Sequence, residues 1–348
     1  MKEIILTVDY ELFLGDITGT VKECMIEPTQ KLASILEKNG SKMTIFWDIL
    51  HFYQLIEFEK SFPELLQRRL SIEEQILTLI KRGHDIQLHL HPHWLDASFE
   101  NNKWNFTYDR FKLHNLSSEN NPNDINTIIG CITISKKLMG DTIRKVNPDY
   151  KVTSFRAGGY LVEPFDRLRD AFLRNDIKID SSVCPGLHNP SFISSYDFRF
   201  YPNKTKYNFD STPKIITDNG KFIEIPITTI HLSIFRNIFY KFVRRIKYPF
   251  LEKERRGIGL GAYYEDSTTS NTKKLFTKLF SLQSTQLTTD SNFREKFNHL
   301  YKKIPAYSTM ILHSKLLNNH TIGILDDYVS TNKIRFISIQ DYLAKNKG

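Results

Sequence analysis

Residues 83–94 read Gly83-His84-Asp85-Ile86-Gln87-Leu88-His89-Leu90-His91-Pro92-His93-Trp94, and this stretch places four of the chain's eleven histidines within ten positions. Ile86, Leu88 and Leu90 alternate with Gln87, His89 and His91. That period predicts a strand with its imidazoles on one face, broken by Pro92. Neutral imidazole is the commonest protein ligand for zinc and similar metals, and His89 and His93, four residues apart across a turn, are placed to converge on one ion. A catalytic zinc site has three protein ligands and one open position, so a partner is expected elsewhere in the chain.

The N-terminus offers one. Glu3-Ile4-Ile5-Leu6-Thr7-Val8 is a short β-type run that ends in Asp9-Tyr10-Glu11, which puts Asp9 and Glu11 on one side of an extended chain. A carboxylate after a strand also serves as a helix cap or turn residue, and either carboxylate alone fits that role. Together with the histidines they predict a shared pocket.

Five segments, in order, resemble the motifs of the polysaccharide deacetylase superfamily (NodB-like, carbohydrate esterase family 4). Thr7-Val8-Asp9-Tyr10-Glu11 resembles its first motif, and residues 83–93 resemble the second, the His-x-x-x-His metal motif. Ser154-Phe155-Arg156-Ala157-Gly158-Gly159-Tyr160 is similar to the arginine motif. Asp176-Ile177-Lys178-Ile179-Asp180-Ser181-Ser182 is similar to the segment that follows it, and Thr309-Met310-Ile311-Leu312-His313 to the final Leu-x-His motif. The resemblance thus runs from the first strand to His313.

It implies a distorted (β/α)7 barrel, here an α/β fold of the NodB-like type over residues 1–348, with insertions at about 101–124, 186–220 and 231–290 and a basic amphipathic helix. It also implies Zn2+, or another divalent transition metal, held by His89 and His93. Where most of the family carries a second aspartate in the first motif, this chain has Tyr10. Glu11 is therefore expected as third ligand with Asp9 as base, while Asp9 as the ligand stays open. His91, absent as a histidine from most of the family, is expected either as a ligand or in the substrate pocket with Tyr160 and Trp94. Arg156 would orient Asp9, and His313 would protonate the leaving group.

The chemistry fits those residue types. Amide hydrolysis needs an activated water, a base, oxyanion stabilisation and an acid for the departing nitrogen. Zinc supplies the activated water and the oxyanion charge, a carboxylate such as Asp9 the base, and imidazole the acid. The Gly158-Gly159 pair lets backbone approach a substrate, and the Tyr160 amide is an oxyanion donor by analogy. The reading is a metal-dependent hydrolase that removes an N-acetyl or other N-acyl group from a nucleotide-linked or lipid-linked sugar in surface polysaccharide or lipopolysaccharide synthesis. Two alternatives stay open: an allantoinase-like or imidase-like hydrolase of another C–N bond, and a noncatalytic sugar-binding relative.

A chain of 348 residues with 40% hydrophobic content buries a large core. Strands are predicted at 4–8, 42–46, 85–90, 151–155, 177–180, 222–225, 309–312 and 335–338. Helices are predicted at 29–39, 72–82, 125–145, 164–174, 292–302 and 324–330. Met1-Lys2-Glu3 runs directly into the first strand without a signal-peptide pattern, and no apolar run is long enough to span a bilayer, so a cytoplasmic location is expected, at most peripheral at the inner membrane face. Cys24, Cys131 and Cys184 are scattered and odd in number, which fits a reducing compartment.

The basic charge is local. Between Phe235 and Arg256 eight Lys or Arg face only Glu252 and Glu254, so this segment carries +6 of the formal net +9. Helical spacing gathers Ile234, Phe235, Ile238, Phe239, Phe242, Val243 and Ile246 on one side. Such a helix is expected first to pack by its apolar face on the barrel, with contact of 234–256 with an anionic membrane as the alternative. No nucleic-acid recognition motif is present, and none is expected as partner.

Overall fold

A computed structural model describes residues 1–191, 193–249, 259, 284–290 and 292–346, and the structural statements below concern those residues. Nine strands form the main sheet: β1 (Lys2–Tyr10), β2 (Thr44–Asp48), β3 (Asp85–Leu90), β4 (Ser154–Ala157), β5 (Ile179–Asp180), β6 (Tyr207–Phe209), β7 (Phe222–Glu224), β8 (Tyr307–His313) and β9 (Ile334–Ile337). Their order is β6-β7-β5-β4-β3-β2-β1-β8, with β9 paired to the first half of β1. All neighbours are parallel except β6 and β7. The sheet curls on itself. Just past β7, the Thr228 N–H donates to the Thr309 carbonyl of β8 at 3.0 Å, and Leu287 bridges the same two segments through Thr228 and Ile311. The chain thus folds as a distorted β/α barrel, the α/β class its sequence implies.

Alternation sorts each strand. Ile4, Leu6, Val8 and Tyr10 of β1, with Ile45, Trp47, Ile86 and Leu88, join the large core beneath the helices. Ile5, Phe46, Ile179, Ile225 and Ile337 face the barrel interior, where Ile339 and Tyr342 close its floor. Above this apolar layer the interior turns polar, with Thr7, Asp9, Arg156 and Ser181 buried near the C-terminal ends of the strands. A parallel sheet wrapped by helices opens its ligand pocket at that end.

The helix Glu27–Lys38 starts with Pro28 in its first turn and ends before Gly40, whose φ of +63° reverses the chain. Strand β3 matches its predicted bounds. Strands β2 and β4 lie two to three residues later than predicted, because pairing with β1 and β3, rather than local composition, sets their ends. The helix Ile49–Phe58 is unanticipated: it follows β2 directly, with no side-chain cap, and buries Ile49, Leu50, Phe52 and Leu55. Segment 101–124 carries part of a small ribbon and a short turn of helix at Leu113–Asn115, and segment 186–220 carries another ribbon and β6. The basic helix spans Ile234–Lys247 as predicted, while the end of that charged segment, 250–256, lies outside the described residues. No described helix is long and apolar enough to cross a membrane.

Candidate metal and acid-base centre

The site grows from three parallel registers. Asp9 of β1 pairs with His313 of β8, His89 of β3 pairs with Arg156 of β4, and Asp48 of β2 pairs with His89. Equivalent positions on neighbouring parallel strands point to the same face, so these side chains share the barrel's interior face, with Asp9 level with Phe46 and one pleat below the row Asp48–His89–Arg156. Tyr10 has the opposite parity. Its phenol points into the helix layer and donates to Gln75 Oε1 at 2.7 Å, which leaves Glu11 on the same side as Asp9.

Glu11, His89 and His91 each offer one ligand atom, and the three atoms lie within 4.8 Å of one another. Glu11 Oε2 is 2.8 Å from His91 Nε2 and 3.5 Å from His89 Nε2, and Glu11 Oε1 is 2.9 Å from Lys315 Nζ. His89 Nδ1 sits 2.9 Å from the Arg156 carbonyl oxygen. A carbonyl only accepts, so Nδ1 carries the proton and Nε2 is turned toward Glu11. Gly158 makes room for the second imidazole: a Cβ there would lie 2.6 Å from His91 Nδ1 and 2.5 Å from the Leu90 carbonyl oxygen.

Burial works to raise the Glu11 carboxyl, but Lys315, His91 and His89 outweigh it and hold the group well below the ordinary carboxylate range. Burial likewise pulls His89 down, and Glu11, Asp9 and Asp48 overcome it to bring the imidazole to about 9. Without a metal, therefore, a proton supplies positive charge among these carboxylates. His89 Nε2 and Glu11 Oε2 are both buried and lack a hydrogen bond of good geometry. Two imidazoles and a carboxylate with such orphaned atoms suit a divalent first-row ion, which would displace the His89 proton on binding.

The structure separates the histidines that the spacing had joined. His93, expected as a ligand, is fully buried outside this group, stacked on Phe111 at 5.3 Å and on Trp94 at 5.9 Å, with Phe106 and Tyr108 around it. Burial holds it well below the usual histidine value, in its neutral form. The cause is Pro92, which starts a 3-10 turn over Pro92–Asp96 and carries His93 off the strand's inner face. His91, still in phase with His89, takes the place beside Glu11. Trp94 also lies behind the site, where its Nε1–H donates to Asp48 Oδ2 at 2.8 Å.

Asp9 stands between two cationic partners. Arg156, fully buried over the Phe46 ring, donates from Nη1 to Asp9 Oδ1 at 3.2 Å and from Nη2 to the hydroxyls of Thr7 and Ser181. On the other side His313 Nε2 is 3.7 Å from Asp9 Oδ2. His313 Nδ1 donates to Asp290 Oδ2 at 2.8 Å, and its backbone N–H donates to the same oxygen. Burial alone would lower this imidazole, yet the Asp290 bond and the Asp9 charge raise it above its ordinary value. With Nδ1 bonded to Asp290, Nε2 faces the pocket.

That pocket, about 230 Å³, is lined by Asp9, Glu11, Leu14, His89, His91, Phe111, Gly159, Tyr160, Ser194, His313 and Lys315. Phe111 and Ser194 come from segments 101–124 and 186–220, two of the expected insertions. Tyr160 reaches the lining through an unusual turn, with φ of +59° at Gly159 and +65° at Tyr160 itself. Leu14 and Phe111, which pack with Leu161, form an apolar part of the pocket wall.

Three residues of the site were not anticipated. Asp48 ends β2 at the level of His89, buried, with its carboxyl raised by that burial. A carboxylate at a strand's end was the same signal that marked Asp9. Lys315 lies two residues beyond His313, and Asp290 lies in Thr288-Thr289-Asp290, where no local pattern marks it.

No protein-family model matches the sequence, and no curated protein matches it. Solved structures align with it at low identity and with TM-scores below 0.5. Puue allantoinase is 10% identical, with 99% of this chain and 91% of that chain covered and a TM-score of 0.45. A 4-alpha-glucanotransferase from Thermococcus litoralis is 13% identical with a TM-score of 0.44, and this chain spans only 40% of its length while 99% of this chain is covered. A peptidoglycan deacetylase from Bacillus subtilis is 10% identical, with 99% and 93% covered and a TM-score of 0.34.

Proposed function

We propose that the protein is a metal-dependent hydrolase that removes an acyl group, in the first place N-acetyl, from a sugar. The observation that carries this reading is the meeting, in one pocket, of the Glu11–His89–His91 donor group with the Arg156–Asp9–His313–Asp290 chain of charges. One part suits a divalent ion and the other suits moving a proton.

Glu11, His89 and His91 would hold the ion, with Lys315 fixing the far oxygen of Glu11 and the Arg156 carbonyl fixing the His89 tautomer. When bound, such an ion supplies a water acidic enough to react near neutral pH and a Lewis acid for the acyl oxygen. Asp9 accepts the water's proton, oriented by the Arg156 guanidinium. His313, held protonated by Asp290, donates its Nε2 proton to the departing nitrogen. Leu14 and Phe111 are placed to receive the acyl methyl, and a pocket of about 230 Å³ takes the acylamido end of a sugar while the remainder, nucleotide-linked or lipid-linked, extends outside.

The test is an acetate-release screen of metal-loaded protein over nucleotide-linked and lipid-linked N-acetyl sugars, with allantoin as a competing C–N substrate. Release from a sugar that disappears in Asp9→Asn supports the reading. Turnover of allantoin alone, or undiminished release by Asp9→Asn, contradicts it.

A further inference from the structure

The helix Ile234–Lys247 presents its apolar face to the outside. At about 100° per residue, Phe235, Ile238, Phe239, Phe242 and Ile246 fall within an arc of about 100°. Their exposures are 85%, 51%, 54%, 62% and 59%. The opposite side holds the helix to the body, where Tyr240, its one buried residue, packs on Phe293 at 5.7 Å and on His299 at 6.0 Å. An ordinary surface helix does the reverse and buries its apolar stripe. Contiguous exposure of this kind marks a binding surface.

Charge identifies what it binds. The helix contains Arg236, Lys241, Arg244, Arg245 and Lys247 and no acidic residue. On the helical wheel Lys241 and Arg245 border the apolar arc on one side, and Arg236 borders it on the other with Lys247, whose Nζ lies 3.5 Å from Glu295 Oε1. An apolar strip between two cationic borders matches a bilayer surface, with rings in the acyl boundary and cations at anionic headgroups. A second copy of the chain suits it poorly, because a two-fold contact through this face would set cationic borders against each other. Ser233 caps the start of the helix by accepting from the Arg236 N–H at 3.3 Å.

We infer that this helix docks the protein in the plane of an anionic lipid bilayer. The inference stands apart from the hydrolase reading. Its geometric consequence is that the body near Phe293, three residues after the Asp290 that holds His313, sits directly behind the docked helix on the side away from the lipid.

The full chain would be sedimented with vesicles of phosphatidylcholine alone and of phosphatidylcholine mixed with phosphatidylglycerol, and its mass measured by light scattering without lipid. Binding to the anionic vesicles is expected to be roughly tenfold or more tighter than to neutral ones. Phe239→Ser with Phe242→Ser should abolish it, and Lys241→Ser with Arg245→Ser should remove the preference for phosphatidylglycerol. These side chains are more than half exposed or lie on the solvent borders, and circular dichroism confirms that each variant is folded. Equal recovery with both vesicle types, binding insensitive to the Phe variants, or a dimer dissolved by those variants without any vesicle binding would each overturn the inference.

Discussion

Replacing Asp290 by Asn removes the charge behind His313 while keeping the shape of the side chain. Asp290 Oδ2 accepts from both Nδ1–H and the backbone N–H of His313, at 2.8 and 2.9 Å, in a site only 9% exposed. A hydrogen bond to a charged group contributes about 1.5–3 kcal/mol, and about twice what a neutral bond does. The Asn oxygen can still accept from Nδ1–H, so about half is lost, roughly 1 kcal/mol or somewhat more. That corresponds to a proton affinity of His313 lowered roughly fivefold to tenfold. An NMR titration of the His313 ring in both proteins reads this directly, independently of turnover. The linkage has a definite sign: because His313 is raised above 6.5, its protonated form contributes stability fully below that pH, and the contribution is lost as pH rises through the folded value. The stability gap between wild type and Asp290→Asn should therefore be widest in mildly acidic urea melts and shrink in alkaline ones. An unchanged His313 titration, or one moved upward, would refute the role given to Asp290.

Three further expectations follow from packing and charge. Gly158→Ala should force the His91 ring or the Leu90 carbonyl to move, at about 1–3 kcal/mol of stability in a denaturant melt, with weakened metal binding; unaltered metal affinity would contradict the close approach. Tyr10→Phe should lose about 1–1.5 kcal/mol by leaving Gln75 Oε1 without its donor, yet leave metal affinity and turnover intact, as titration and assay would show. In the metal-free protein the depressed Glu11 carboxyl adds stability above about pH 4.5 that is lost as pH falls through its lower folded value, and Lys315→Met should flatten this acid limb of the melting profile.

Much of this centre was legible because strand parity is a two-residue rule. Asp9 with Glu11 and the alternating histidines followed from strand parity, whereas Arg156 and His313 came from the resemblance of their segments to family motifs, and the order of those segments implied the barrel. His93 shows where that rule stops. Spacing alone could not choose between residues two and four positions after His89, because the choice depends on whether the chain stays extended past Pro92. It does not, and His91 rather than His93 faces Glu11. Asp290 and Lys315 were illegible for a different reason: Asp290 meets His313 from a segment 23 residues earlier and Lys315 meets Glu11 from the far end of the chain, through tertiary closure that no local period encodes. The basic helix was read correctly as an element, but whether its apolar face turned inward depended on the packing of Tyr240 against Phe293.

The central claim is that Glu11, His89 and His91 form the metal site. Calorimetric titration of metal-free protein with Zn2+ tests it most directly, using wild type, His89→Ala, His91→Ala and His93→Phe, each checked for folding. The account predicts one tight site in wild type and in His93→Phe. It also predicts that either alanine variant loses more affinity than the roughly 100-fold at stake in a supporting group. Retained binding in His91→Ala together with loss in His93→Phe would contradict it.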